Sequence, residues 1–394
     1  MTRMILSAMG IVCALGQSKQ QVWLNAILGS REGMRWRTDL LYAEQAVVVG
    51  EVNAPLPDLS KWQAVYQSRN NQLAALAFQQ IAAEVAAAKQ EFGAARIAVI
   101  LGTSTSGIAE GEQAMQQYMQ QQTYPEGYQY QIQEMVAPAD FIAKLAEVSG
   151  PCYAISTACS SSARALMSAR NLLQADLADA VIVGGVDSLC QLTLNGFHAL
   201  ESTSAGHCQP FSANRDGINI GEGAALFLMQ KANAGIALLG AGASSDAHHM
   251  SAPHPEGRGA VAAIKQACLN AGITPAQLDY INLHGTATPL NDSMESQALL
   301  QLGLTNTPAS STKGMTGHTL GAAGAIEAAL CWLTLSAYNT EQNLIPHCWD
   351  AVSDPDLPVL HLVTPRQQQK TLYCLSNSFA FGGNNMALIL GKTS

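Results

Sequence analysis

An α/β fold with sheets covered on both faces is what this sequence predicts, and three observations predict it. Short apolar runs alternate with stretches of helical periodicity. Of the 394 residues, 48% are hydrophobic and only 12% charged, the balance of a large buried core. The helical stretches are rich in small residues, as in ALAFQQIAAEVAAA and LGAAGAIEAAL, which suits helices packed closely between layers.

Taken in order, MILSAMGIV (4–12) reads as a first buried strand followed by a turn. It could be misread as a weak signal peptide, but glycine breaks its apolar run. A helix is expected over 72–90, then the strand RIAVILG (96–102). Residues 103–150 are Gln- and Tyr-rich and read as an insertion, a cap or an interface. Over 160–175, Ala165, Leu166, Ala169, Leu172 and Leu173 recur at helical spacing. AVIVGGV (180–186) and AALFLM (224–229) are strands, and a mild junction falls at QKANAG (230–235). Beyond it come strands IALLGAG (236–242), YINLHG (280–285), LYCLSNS (372–378) and MALILG (386–391). Helices are expected at 257–271, 293–302 and 321–338. Each half carries strands, helices and one helix of small residues, so a duplicated unit is expected, with halves at 1–235 and 236–394.

The net charge of −9 and the lack of a Lys/Arg run argue against a nucleic-acid partner. No window is long and apolar enough for a membrane span. Nine cysteines, an odd count with no C-x-x-C, make neither a zinc pattern nor a disulfide framework. Without a signal peptide, a reducing cytoplasm is the expected location. His248, His249 and His254 lack the accompanying ligands of a metal site, so no metal is expected.

Four stretches carry chemistry. In AISTACSSSARALMSAR (154–170), Cys159 falls near a helix start capped by Ser156 or Thr157. There, helix-terminal N–H groups lower a thiol pKa and make a nucleophile; the plainer alternative is a small buried cysteine. LHGTATPLNDSMES (283–296) puts His284 at a strand end, where sites are built, or leaves it a loop histidine bonding backbone. STKGMTGHTLGAAGAIEAAL (311–330) carries Lys313, His318 and Glu327; the plainer reading is a surface lysine and a capping histidine. SNSFAFGGNN (376–385) is either a tight loop presenting N–H groups to an anion or an ordinary hairpin.

Together and in this order, ACSSS, HGTATPLND, KGMTGHTLGAAGAIE and NSFAFGG resemble the β-ketoacyl-acyl carrier protein synthases of the synthase II type, which include polyketide ketosynthases, within the thiolase superfamily. PFSANRDGINIGEGAA (210–225) and SSDAHHMSAPHPEG (244–257) resemble further segments of that family, and the likeness spans nearly the whole chain. It implies a layered αβαβα fold of two duplicated halves. It implies that Cys159 carries the acyl group as a thioester and that His284 and His318 serve the decarboxylative step. Lys313 is then the electrostatic lysine of the site and Glu327 its ion-pair partner. The N–H groups of Cys159 and Phe381 would form an oxyanion hole, with Phe381 also a gate. Thr286 and Thr288 would bind the phosphopantetheine arm, and Phe379 and Ile108 the substrate. The insertion (Ile108, Met115, Met119) and a partner chain are expected to line the acyl pocket.

The implied reaction is decarboxylative condensation of the Cys159-bound acyl group with malonyl-acyl carrier protein. No free cofactor is expected, because the substrates ride on the carrier's phosphopantetheine. The implied partners are the acyl carrier protein and a second subunit, in a homodimer or a heterodimer with a chain-length-factor-like homologue. A polyketide or aryl-polyene-like pathway is favoured, with housekeeping fatty-acid elongation as the alternative. A non-catalytic chain-length factor is disfavoured by intact Cys159, His284 and His318, and a thiolase by the absence of cysteine from 376–385. Ala380, Asn384, Asn291 and Ser212 depart from the family pattern, and Ala380 is expected to stiffen the gating loop. TSAGHCQ (203–209), after ALES, lacks the basic residue common in the family there for carrier docking.

Overall fold

The computed structural model describes residues 3–42 and 45–393. The chain opens with β1 (Arg3–Cys13), α1 (Lys19–Ile27) and a hairpin of β2 (Met34–Arg37) and β3 (Val47–Gly50). Then come α2 (Arg69–Gln79), α3 (Ala82–Phe92), β4 (Ile97–Gly102), α4 (Ile108–Gln121), α5 (Ala137–Ala146) and β5 (Cys152–Ile155). They are followed by α6 (Ser161–Gln174), β6 (Ala180–Asp187), α7 (Gln191–Ala199), β7 (Gly223–Ala232), β8 (Gly235–Ser245) and α8 (Arg258–Ala271). The remainder is β9 (Tyr280–Asn282), α9 (Pro289–Gln301), β10 (Ala309–Ser310), α10 (Lys313–Thr316), α11 (Ala323–Leu335), β11 (Tyr373–Ala380) and β12 (Asn384–Thr393).

Ten strands form one mixed sheet in the order β10-β9-β11-β12-β8-β1-β7-β6-β4-β5. Its two sides repeat one pattern. Outward from β1, the pairings with β7 and β6 are antiparallel and those with β4 and β5 parallel. Outward from β8, β12 and β11 are antiparallel and β9 and β10 parallel. The sides join where β1 meets β8, at Ile5 opposite Ala237.

Side-chain alternation explains the layers. Along β6, Val181 and Val183 face the core around α6 and α11, while Ala180 and Ile182 face a second core under α2, α3 and α5. On the other side, Ile281, Leu375, Ala387 and Ile389 face a third core with α8 and α9. Helices α6 and α11 therefore lie between two half-sheets, and the layers run αβαβα. Strands buried on both faces read as the continuous apolar runs seen in the sequence. Twelve of the thirteen residues of α11 are buried, so its small residues meet protein on every side. A Cβ at Gly324 would stand 2.7 Å from that of Ala163, which shows how closely α11 and α6 approach.

The structure corrects several boundaries. The single helix expected over 72–90 is two, α2 and α3. The break falls at Gln80, whose Nε2 donates to the Ile11 carbonyl at 2.8 Å as the helix crosses β1. Residues 103–150 are not one insertion: Phe141 and Ile142 of α5 are fully buried in the core beneath α2. Only α4 and the stretch after it form an exposed cap, carrying Met115, Met119 and Tyr130. YINLHG keeps strand geometry only to Asn282. Among the described residues no helix is long and apolar enough to cross a membrane.

Candidate active site

Cys159 and His284 both leave the carboxyl ends of strands that run parallel to their neighbours, where α/β sheets build sites. After β5 the chain turns sharply, with Ala158 at φ +52°, and this elbow presents Cys159. Serine and threonine hold the turn: Thr157 N–H donates to Ser161 Oγ at 2.9 Å, and Ser160 Oγ–H to the Thr157 carbonyl at 2.9 Å. Helix α6 starts only at Ser161, with Ser160 as its N-cap, so neither Ser156 nor Thr157 caps it.

The expectation of a lowered thiol pKa is also overturned. Cys159 is buried, and burial pushes its thiol up to about 11 despite the opposing Lys313 charge and the Phe381 N–H bonded to the sulfur. The thiol is protonated at neutral pH, so a proton acceptor is required. His318 supplies one, with Nε2 3.0 Å from the Cys159 sulfur.

His284 and His318 sit edge to face with ring centroids 5.4 Å apart. Burial and the Lys313 charge hold both pKa values well below the ordinary histidine range. Both rings are therefore neutral. The Lys313 ammonium lies 3.3 Å from His284 Nδ1, which fixes that nitrogen as the acceptor and Nε2 as the N–H. Lys313 also donates to the His284 carbonyl and the Glu327 carboxylate. Lys313 and Glu327 are both buried, and Glu327 is the one charged residue of α11, where only a paired charge is tolerable. Burial pushes the Glu327 carboxyl up to about 7, and Lys313 acts against that rise. His318 differs from His284: its Nδ1 has no hydrogen-bond partner among the described residues. Beside the protonated Cys159 thiol, His318 Nε2 is the acceptor and Nδ1 carries the hydrogen.

A cavity of about 270 Å³ joins these groups. Cys159, His284, His318, Thr286, Thr288, Phe379 and Phe381 all line it. The Thr286 and Thr288 hydroxyls are hydrogen-bonded to each other at 2.9 Å. Phe381 lies against Phe197, centroids 5.6 Å apart, on a loop tied down by Gly382 N–H to the Met250 carbonyl at 2.7 Å. Ala380 lines the cavity in ordinary extended geometry, φ −98°, so its methyl narrows the site without straining the backbone. Ile108 does not line this cavity; it starts α4 half-buried, and Met115 and Met119 point to solvent. The donor atoms of Cys159, His284 and His318 lie within 4.8 Å of one another, whereas His248, His249 and His254 sit on an exposed loop.

Sequence reasoning missed two buried carboxylates. Glu295 of α9 accepts from the N–H groups of His284 (2.9 Å) and Gly285 (2.8 Å) and from Asn377 Nδ2 (3.0 Å). It clamps the histidine loop to β11. Its signal was present in HGTATPLNDSMES, an acid nearly two helical turns inside the helix that follows the loop. Asp187, at the end of β6, accepts from Thr103 Oγ1 (2.7 Å), Ser104 N–H (2.7 Å), Thr105 N–H (2.8 Å) and Ala322 N–H (3.0 Å). Its partners lie far apart in sequence, and no local pattern marks them.

Such a site, a buried thiol with two neutral histidines between two matching half-sheets, defines a thiolase-like condensing enzyme. The family models for the beta-ketoacyl synthase N-terminal and C-terminal domains match residues 1–234 and 236–344, and the chain belongs to the β-ketoacyl synthase family. It is 30% identical over 413 residues to 3-oxoacyl-[acyl-carrier-protein] synthase 2 of Staphylococcus aureus (strain COL), covering 99% of this chain and 98% of the relative. Over 264 residues it is 35% identical to the synthase 2 of Rhizobium meliloti (strain 1021), covering 62% and 61% of the two chains. Among solved structures, the ketosynthase ApeO in complex with its chain length factor ApeC from Xenorhabdus doucetiae is 46% identical, with a TM-score of 0.95 over 100% of this chain and 98% of that one. The ishigamide ketosynthase/chain length factor shares the fold, at 24% identity and a TM-score of 0.88 over 100% of both chains.

Proposed function

We propose that this chain catalyses decarboxylative condensation of an acyl group on Cys159 with malonyl-acyl carrier protein, giving a β-ketoacyl-acyl carrier protein. The observation that carries this is buried Cys159, His318 and His284 lining one cavity, with the buried Lys313–Glu327 pair set against His284. In the first half-reaction the Cys159 sulfur attacks the thioester carbonyl of an acyl carrier. His318 Nε2 takes the thiol proton and returns it to the leaving phosphopantetheine thiolate. In the second, malonyl thioester loses carbon dioxide and the electron pair moves into an enolate. Its oxygen accepts from the Nε2–H groups of His284 and His318, each worth on the order of 3 kcal/mol in a dry site. Once the sulfur is acylated it no longer donates to His318 Nε2, and with Nδ1 unpartnered among the described residues the ring is free to carry its hydrogen on Nε2 and donate in the second half-reaction. The enolate carbon attacks the Cys159 thioester, and the N–H groups of Cys159 and Phe381 hold the oxyanion until the sulfur leaves. Thr286 and Thr288 are suited to bonding the phosphopantetheine amides.

The 46% identity to a ketosynthase solved with its chain length factor favours a heterodimer in a polyketide or aryl-polyene-like pathway. The synthase 2 relatives at 30–35% identity favour a homodimer in fatty-acid elongation instead. Intact mass after incubation with a panel of acyl carriers separates the two. A Cys159-dependent adduct, absent from Cys159→Ala, is expected, and only after a chain-length-factor-like partner is added. Adducts on the isolated chain with ordinary fatty acyl carriers would favour elongation, and no adduct under either condition would refute the acyl-enzyme.

A further inference from the structure

The mouth of the Cys159 cavity lacks the charge that an acidic partner would need. Among the described residues that line the cavity there is no Lys or Arg. Four segments supply the mouth, 197–204, 246–257, 284–295 and 376–385, and none contains either residue. The nearest cation in sequence, Arg258, is tied to Glu256 at 2.7 Å. What the rim offers instead is apolar and acidic. Leu200 and Leu290 line the cavity yet are 58% and 62% exposed. Met250, whose carbonyl anchors the Phe381 loop, is 81% exposed. Glu201 sits beside Leu200, exposed, held at φ +51°. Large exposed apolar side chains gathered at one opening mark an interaction surface.

We propose that the carrier protein serving this site docks by an apolar face against Leu200, Met250 and Leu290, and not by complementary charge; this rests on the condensing function proposed above. Cys159 lines the cavity that opens at this mouth, so a carrier delivering its phosphopantetheine arm there sits on the rim. An acidic carrier face would meet the exposed Glu201 as a like charge, with no free cation on the rim to offset it, which costs encounter rate and affinity. The fitting partner therefore has a neutral, apolar recognition face around its phosphopantetheinylated serine.

The test uses single-turnover acylation of Cys159, with the chain-length-factor-like partner present throughout, by a hexanoyl group presented three ways: on an acidic fatty-acid carrier, on the same carrier with its surface carboxylates changed to amides, and on free pantetheine. The amide-bearing carrier is expected to give the lower KM, changing less than about twofold between roughly 50 and 500 mM salt. Met250→Asp is expected to raise that KM by about fivefold or more and leave hexanoyl-pantetheine transfer at the parent rate. Glu201→Arg is expected to lower KM for the acidic carrier. Preference for the acidic carrier, with affinity falling steeply in salt, would overturn the docking proposal and point to cations elsewhere, on this chain or a second subunit. Failure of hexanoyl-pantetheine to acylate Cys159 at all would instead overturn the condensing function on which it rests.

Discussion

Cys159 and His318 hold their proton on the sulfur, and that has a pH consequence. The thiol is raised to about 11 and both histidines are lowered, each chiefly by burial. A lowered histidine pKa means that the ring is already neutral below its ordinary value. Acidifying from pH 8 to 6 then charges neither ring, and the thiol stays protonated throughout. Single-turnover acylation of Cys159, followed by intact mass, should be flat over that range. A loss centred near the ordinary histidine pKa of about 6.5 would show that one ring titrates normally. Stability has the matching sign. The unfolded histidines bind protons that the native ones refuse, so these two rings favour folding above about pH 6.5, and that contribution is lost as the pH falls below it. Ordinary helix-start logic predicts a thiolate here. What it leaves out is depth, because whether Cys159 faces water is decided by residues far along the chain.

At the scale of elements, the histidine loop and the cysteine elbow are held separately. Glu295 reaches only the His284 loop and β11, whereas the elbow is held by its own serine and threonine side chains. Glu295→Ala should therefore slow condensation about 10- to 100-fold, as loss of a residue positioning an essential histidine does, while Cys159 acylation proceeds near the parent rate. Equal loss of both steps would mean that the substitution damages the whole fold. The α6–α11 contact is equally specific. Gly324→Ala would place a methyl 2.7 Å from the Ala163 Cβ, and should cost about 1–3 kcal/mol in denaturant unfolding. The elements legible in the sequence were the strands that form continuous apolar runs, β1, β4, β6, β7, β8, β11 and β12, and the helices α6, α8 and α11. Hidden ones were short or were masked by composition. The four residues of β5 carry no alternation, and the Gln- and Tyr-rich run before α5 concealed a helix whose Phe141 and Ile142 enter the core. The site was legible because its motifs are contiguous. The Glu295 and Asp187 clamps were not, since each joins segments that only the fold brings together.

Across the whole molecule, ten strands end unevenly. On one side the sheet closes on β10, two residues long and bridged beyond Ala309 to Leu362. On the other it ends on β5, which among the described strands pairs only with β4 and is half-buried along its length. A free sheet edge is a surface on which another strand can add. This edge is also the last regular structure before Ala158 and Cys159. A strand docked there would stiffen the nucleophile's elbow, so turnover should depend on how much protein is in the assay. Serial dilution should lower the rate per molecule once subunits part, and Ala154→Pro, which removes a backbone donor from the edge, should shift that fall to higher concentration. A rate per molecule independent of dilution, beside a monomer mass in sedimentation, would show that the elbow keeps its shape unaided. If the fall is seen, the cell sets this enzyme's output by how many copies it makes as well as by how much substrate it supplies.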